Sequence, residues 1–540
     1  MGGRVSLTPR PAGSAEPVLA ACFIGHCPGA VRPQRLRQPA RAALRGIGLG
    51  RAVDYLDAAH PLPGAPPVDL PAELDDATRD RLAALQHLPL PLRSAAELDD
   101  LFPNARTAPT SYASKLGGAG AWLPRAVDDW FANGGELLWL IVVPEAEGRG
   151  GFFGLGSDAL AAEAGAGTSA DLGATGATGG RLALHEPLGL RGLALALAIP
   201  DIGLLALPDL ERLQVPAQLA GPARVRLPNP APSFLPCSAQ YNDGHRERRD
   251  APEMLTPAPP VSTLTILDAI AGALAGYRPD LQCLFALPLA AGGVNREPQP
   301  DPVLLADLGA RAARGWSAAR RLQLLWPYLR DDRQGLRSPS GAVGGAQAAV
   351  SARLGPWRSA AGVSLSSTGT PYPPTPRELV VALREHPGVG VLYRSAGVLR
   401  LDDERLLVPA LPAADAIGAH AAGWRSGEVQ RFLGWLMRRL RRLGEALVFD
   451  ADPDDPRVAL LLERFFRALH DRGALRGARP EDAFTIRPLR PAGRAGDGVL
   501  GFEIELAPAF PLDRLRLTFV NRAGEWVTGG PQAGTARAAA

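Results

Sequence analysis

The sequence is poor in reactive chemistry. Lys115 is the only lysine, and no G-K-[ST] phosphate loop exists in the 540 residues. No G-x-S-x-G, H-E-x-x-H or paired C-x-x-C occurs, so the usual signatures of serine hydrolases, zinc peptidases and zinc ribbons are missing. Four cysteines (Cys22, Cys27, Cys237, Cys283) are too few for a disulfide framework. Cys22 and Cys27 also stand without the further N or S ligands that zinc requires. A formal charge of only +3 gives no footprint for nucleic acid or an anionic membrane. The most apolar stretch, residues 192–207, is interrupted by Pro200 and Asp201 and is too short to span a bilayer. Residues 1–17 lack the apolar core of a signal peptide, so cytoplasmic synthesis is expected. The chain is expected to act without catalytic residues, cofactor or metal.

What is there is packing material. Hydrophobic residues make up 46% and charged residues 21%, the balance of a globular chain, and 540 residues exceed one ordinary core. The 53 prolines and 61 glycines predict long connectors between packed parts. Residues 21–25 read as a first strand. Residues 32–91 are proline-rich with one helical patch at 72–86, followed by a short helix at 95–102. The run AVDDWFANGG predicts a helix stopped by Gly134 and Gly135, and ELLWLIVV a strand apolar on both faces. Two further buried strands are predicted within 190–207 and 281–287, with a helix at 264–276 between them. Helices alternating with such strands imply an α/β layer with a partly parallel sheet. Residues 148–180 and 208–260 read as surface loops. Small residues at 342–352 suit a helix pressed against a neighbouring backbone.

The C-terminal part reads as helix, strand, helix and β-meander. Val429, Phe432, Leu433, Leu436, Leu440 and Leu443 share one helical face, with Gly444 as the expected stop and a strand at 446–449. Pro456 opens a second helix with an apolar face of Val458, Leu461, Leu462, Phe465 and Leu469. Strands are predicted at 484–489, 499–506 and 515–520, and a disordered tail from 529. The domain division that follows is 1–125, an N-terminal region with an outer insertion; 126–375, a central α/β region; 376–528, a C-terminal assembly domain; and 529–540, the tail. The fold class is α/β and α+β multidomain.

Three clusters invite a chemical reading, and each has a plainer one. Asp450, Asp452, Asp454 and Asp455 could hold Mg²⁺, but Asp454 or Asp455 caps the helix that Pro456 begins without any metal. His245, Glu247 and Asp250 lie in a polar, proline-flanked segment of the kind that forms surface connectors. Gly46, Gly48 and Gly50 imitate part of a dinucleotide fingerprint without its strand and helix. The run MRRLRRL gives Arg438, Arg439, Arg441 and Arg442, a charged flank beside a leucine core face.

Several segments together resemble the tail sheath family of contractile phage tails and related injection systems. They are AVDDWFANGGELLWLIVV, IPDIGLLALPDL, RPDLQCLFALPL, PSGAVGGAQA, LVFDADPDD, FFRALHDRGALRGARPEDAFTI and FEIELAPAFPLDRLRLTFV. The last three are the most specific. The resemblance implies a phage tail sheath-like fold and a structural subunit that stacks with itself in hexameric rings around an inner tube protein. Contraction would drive the tube through a target envelope, with baseplate and terminator proteins as further partners and neither nucleic acid nor membrane bound. The subunit would be a virion tail or phage-tail-like particle component. It further implies inter-subunit β-augmentation, expected at Phe502, Ile504, Leu506, Leu515, Leu517 and Phe519. Arg438, Arg439, Arg441 and Arg442 are the expected tube contact. Residues 1–17 lack the family's Pro-Gly-Val-Tyr strand, and LRLDDERLLVPALP replaces its Gly-Ala-Arg-Thr element. These departures keep a sheath-like terminator or baseplate adaptor as the alternative; a nucleotide- or metal-dependent enzyme on the α/β region is the rival from another class.

Overall fold

A computed structural model describes residues 17–62, 64, 74–114, 116–154, 182–215, 219–220, 254–255, 262–290, 298–314, 317–331, 335–367, 369–408, 424–447, 456–489, 501–509, 515–522 and 525–533. The body is built on a nine-stranded sheet. Its strands are β1 (Ala20–Gly25), β2 (Leu90–Leu92), β3 (Leu138–Val142), β4 (Ile202–Ala206), β5 (Gln282–Ala286) and β6 (Leu322–Trp326). A side sheet uses β7 (Tyr328–Asp331), β8 (Gly335–Arg337) and β10 (Thr370–Tyr372), while β9 (Ser364–Leu365), β11 (Val389–Ser395) and β12 (Val398–Leu401) complete the main sheet. The main order is β9-β12-β11-β6-β5-β4-β1-β3-β2. β11, β6, β5, β4, β1 and β3 run parallel, and the outer strands are antiparallel. All residues of β1, β3, β4, β5 and β6 are buried, as helices covering both faces of a parallel sheet require.

The body helices are α1 (Gln38–Gly46), α2 (Gly50–Ala59), α3 (Asp76–Ala83), α4 (Ala95–Leu101), α5 (Leu123–Ala132), α6 (Gly192–Leu197), α7 (Pro208–Arg212), α8 (Thr263–Tyr277), α9 (Pro302–Ala313), α10 (Ser340–Leu354) and α11 (Arg377–Leu383). Small residues in α10 serve backbone contact. A Cβ on Gly341 would stand 2.3 Å from the Ala126 carbonyl oxygen, and one on Gly345 would stand 2.4 Å from that of Trp130. Helix α5 can approach only because neither position has a side chain.

The C-terminal unit holds α12 (Gly427–Leu447), α13 (Pro456–Asp471) and α14 (Pro480–Ala483). They accompany an antiparallel sheet, β13 (Phe484–Leu489), β14 (Gly501–Leu506), β15 (Leu515–Arg522) and β16 (Glu525–Ala533), in chain order. Its core gathers Val429, Phe432, Leu436, Leu440, Val458, Leu462, Phe466, Ile504, Leu515, Leu517 and Phe519, with Trp357 contributed by the body.

Several expectations change. In the described part of the proline-rich stretch 32–91, Leu36, Leu44, Ala52, Val53, Leu56, Leu82 and Leu90 belong to the main core. Phe152 and Phe153, at the start of the expected 148–180 loop, are buried as well. The main sheet takes strands from both sides of the 125/126 and 375/376 boundaries, because a parallel sheet recruits strands distant in sequence. Gly444 does not stop α12, which continues through Leu447, so Ala446 and Leu447 are helical where a strand was expected. Leu461 faces outward at 37% exposure. The expected tail is strand as far as Ala533, paired with β15. Gly46, Gly48 and Gly50 join two helices. Residues 448–455, with Asp450, Asp452, Asp454 and Asp455, lie outside the described residues, as do Cys237, His245, Glu247 and Asp250.

Candidate functional site

Helix α12 joins the two units, and its faces do different work. Val429, Phe432, Leu433, Leu436 and Leu440 enter the C-terminal core. Arg431 and Arg438, seven residues apart and so two turns along one face, enter the body. Arg431 donates to Glu404 at 2.7 Å, both side chains being fully buried, and to the Arg358 carbonyl at 2.9 Å. The other Glu404 oxygen accepts from the Ala360 amide at 3.0 Å. Arg438 donates to the Asp280 carbonyl at 3.1 Å and to its Oδ2 at 3.3 Å, while Arg278 donates to both oxygens of that carboxylate at 2.8 and 2.9 Å. Gln430 adds a bond to the Pro279 carbonyl at 2.9 Å.

Glycines make room for this joint. A Cβ on Gly434 would stand 2.1 Å from the Asp280 carbonyl oxygen, and one on Gly203 in β4 would stand 2.4 Å from the Arg438 guanidinium. Burial shifts Asp280, Arg438 and Glu428. It raises Asp280, but Arg278, Arg438 and Arg441 more than offset that, so the carboxyl is held well below its usual range. Arg438 is drawn down to about 10 by burial against the opposing pull of Asp280 and stays charged at neutral pH. Glu428 is pushed up to about 7 by burial and by Glu404, with Arg431 opposing.

The arginines expected at the tube have partners within the chain. Arg438 is sealed against Asp280, and Arg442 pairs with Asp201. The Arg439 guanidinium lies 6.0 Å from the Trp435 ring centroid, and Arg441 acts on buried Asp280. Sequence periodicity gave the helical face but could not show the acidic groups of the body waiting opposite it. The residues expected on inter-subunit strands lie on inner strands of their sheet. Phe502, Ile504, Leu506, Leu515, Leu517 and Phe519 are buried core residues on β14 and β15, and each of those strands already has two neighbours. The sheet's outer strands are β13 and β16. Pro488 in β13 and Pro531 in β16 each remove a backbone N–H from those strands.

The place where an α/β sheet most often binds a ligand is filled by the chain itself. The order reverses between β1 and β4, so their carboxyl ends form the switch point. Asp209, fully buried after β4, accepts there from the Trp122 amide (2.7 Å), the Tyr112 hydroxyl (3.0 Å), the His26 amide (2.9 Å) and the Leu123 amide (3.0 Å). It thus caps α5 from another element, where a carboxylate favours the helix N-terminus. The His26 ring packs 5.1 Å from Phe152 and 5.4 Å from Tyr112 between centroids. Beyond it, Glu211 is fully buried, accepts from the Ser340 hydroxyl at 2.9 Å and is pushed up to about 8 by burial. The only sequence signal for this network was a Pro-Asp directly after an apolar strand. Among the described residues no three His, Cys, Asp or Glu converge as metal ligands, and no helix is long and apolar enough to cross a membrane.

No protein-family model and no curated protein matches the chain. Among solved structures it is similar to one from the baseplate of the anti-feeding prophage, at 13% identity, TM-score 0.48, covering 94% of this chain and 96% of that one. The contracted helical sheath of the same prophage gives 14% identity and TM-score 0.47, over 94% and 95%. The contracted sheath complex of the extracellular contractile injection system PVC gives 12% identity and TM-score 0.45, over 94% and 92%.

Proposed function

We propose that the chain is a structural sheath subunit of a contractile tail or injection apparatus and that it performs no catalysis. The observation that carries this reading is the C-terminal unit. The FFRALHDRGALRGARPEDAFTI and FEIELAPAFPLDRLRLTFV segments, the most sheath-like in the sequence, form a separate core fastened to the α/β body through buried ion pairs. Such a unit suits a load-bearing contact, because α12 packs in its core and is ion-paired to the body.

In this reading subunits stack around an inner tube and repack on contraction as rigid bodies, with free energy stored in subunit contacts. Copies join through β13 or β16. The tube faces the outer side of α13, where Arg464, Arg467 and Arg472 stand exposed beside Leu460 and Leu461. Arg467 pairs with Glu463 at 2.8 Å, an exposed contact worth about 0–1 kcal/mol. A second reading, a terminator or baseplate adaptor of the same particle, is favoured by Pro488 and Pro531, which blunt both outer strands against continued pairing. Negative-stain microscopy of the protein, alone and expressed with a tube protein, separates the two. Long cylinders support the sheath, single rings on tube ends support the terminator, and monomers in both preparations refute both.

A further inference from the structure

A cleft of about 620 Å³ lies where β2, α1 and α4 meet the end of α12. Its walls include Leu36, Ala40 and Ala43 on one side and Leu92, Leu101 and Trp139 on the other. Trp139 is 3% exposed, and its buried Nε1 has no hydrogen-bond partner among the described residues. The charged lining is four arginines, Arg35, Arg37, Arg93 and Arg442, against three carboxylates, Glu97, Asp100 and Asp201. The carboxylates are already matched: Arg37 meets Asp100 at 2.8 Å and Glu97 at 3.6 Å, and Arg442 pairs with Asp201. Arg35 and Arg93 are exposed and have no ion-pair partner among the described residues.

We propose that this cleft binds a segment of a partner protein in which one carboxylate is flanked by bulky apolar residues. The lining carries one net positive charge, four minus three, so one carboxylate balances it. The two apolar walls take the flanking side chains. Strand addition is not the mode of binding, because Pro91 on the outer strand β2 offers no N–H. The volume lies in the range of roughly 300–1,000 Å³ typical of ligand sites. Residues 1–16 carry Arg4 and Arg10 against Glu16 alone, the wrong sign for Arg35 and Arg93. Because Arg442 lines the cleft from α12, an occupant touches both units at their joint. The inference uses only the cleft's own residues and does not depend on the sheath reading.

The test is calorimetric titration of the full chain with the blocked peptide acetyl-Leu-Glu-Leu-amide and its Gln counterpart. The Glu peptide should bind at least tenfold more tightly, and the exposed double variant Arg35→Gln/Arg93→Gln should abolish that preference while melting like the parent. Equal affinity for both peptides, or a preference that survives in the double variant, overturns the proposal. Binding of octanoate without binding of the Glu peptide would make the cleft a small-molecule site and overturn the occupant. A tenfold gain in peptide affinity on removing residues 1–16 would make that segment the resident occupant and overturn it equally.

Discussion

The two sheets of this protein solve burial differently. In the body, parallel strands such as β1 and β3 are covered on both faces, and every residue is apolar or glycine. In the C-terminal unit β14 buries Phe502, Ile504 and Leu506 while Glu503 and Glu505 point to the open face. Helix α12 lies between these regimes. It gives leucines to the sheet that is covered on one face and arginines to the sheet that is already full. A body with little apolar face to spare beyond Trp357 accepts the second unit largely through charge, and the joint is polar yet buried.

The contrast breaks most easily at Arg431. Arg431→Ala leaves Glu404 buried without its partner, so it should cost about 3–5 kcal/mol, read by urea denaturation. Leu436→Ala on the opposite face should cost a similar 2–5 kcal/mol through a cavity. The two differ in whether a second change can rescue them, since only the charged side depends on an ion pair. Adding Glu404→Gln to Arg431→Ala should restore part of the loss, whereas no partner change rescues Leu436→Ala.

Gly434→Ala comes next. Its methyl would collide with the Asp280 carbonyl, so about 1–3 kcal/mol of strain is expected. Ala at an open helical glycine such as Gly272 should instead stabilise by about 0.4–1 kcal/mol. Melting temperatures of the two variants should move in opposite directions.

The pH response sharpens the comparison further. Glu211 in the body and Glu428 at the joint have folded values of about 8 and about 7, above the ordinary 4.5. The folded state therefore holds more protons than the unfolded chain above pH 4.5. Their contribution is complete below that point and is lost as pH rises towards 7 for Glu428 and 8 for Glu211. Glu211→Gln should flatten the fall in melting temperature between pH 5 and pH 8, and an unchanged slope would remove Glu211 as its source. The smallest stability effect belongs to Pro488→Thr, within about 0.5 kcal/mol as for most surface changes. Light scattering should nevertheless show more self-association, because the outer strand regains an N–H.

Much of the body was legible because burial on both faces writes itself as uninterrupted apolar runs. LLWLIVV and LQCLFAL have few other structural meanings. The small-residue run of α10 likewise announced its close packing. The joint was harder to read. Arg438 and Asp280 are 158 residues apart, and neither has a local reason to be buried. An arginine on a helix flank has the same pattern whether it meets water or a sealed carboxylate. The meander was legible strand by strand, but its fourth member was not, because TGGPQA has the composition of a turn. Pairing with β15 through a bulge, and not propensity, makes it a strand. Residues 32–91 misled for the opposite reason: their prolines suggested loops, whereas Pro33 and Pro39 start helices.

The glycine pair at the joint has a consequence for heredity. Any codon change that alters Gly434 or Gly203 adds at least a Cβ, which meets the Asp280 backbone at the first and the Arg438 and Leu19 side chains at the second. No graded series of alleles runs from a tight joint to a looser one. A lineage that needs a different angle between the two units must acquire compensating changes on both sides together, or move the contact along the helix to another register. Relatives that share this architecture should therefore fall into discrete joint types, each recognisable by where its glycines stand.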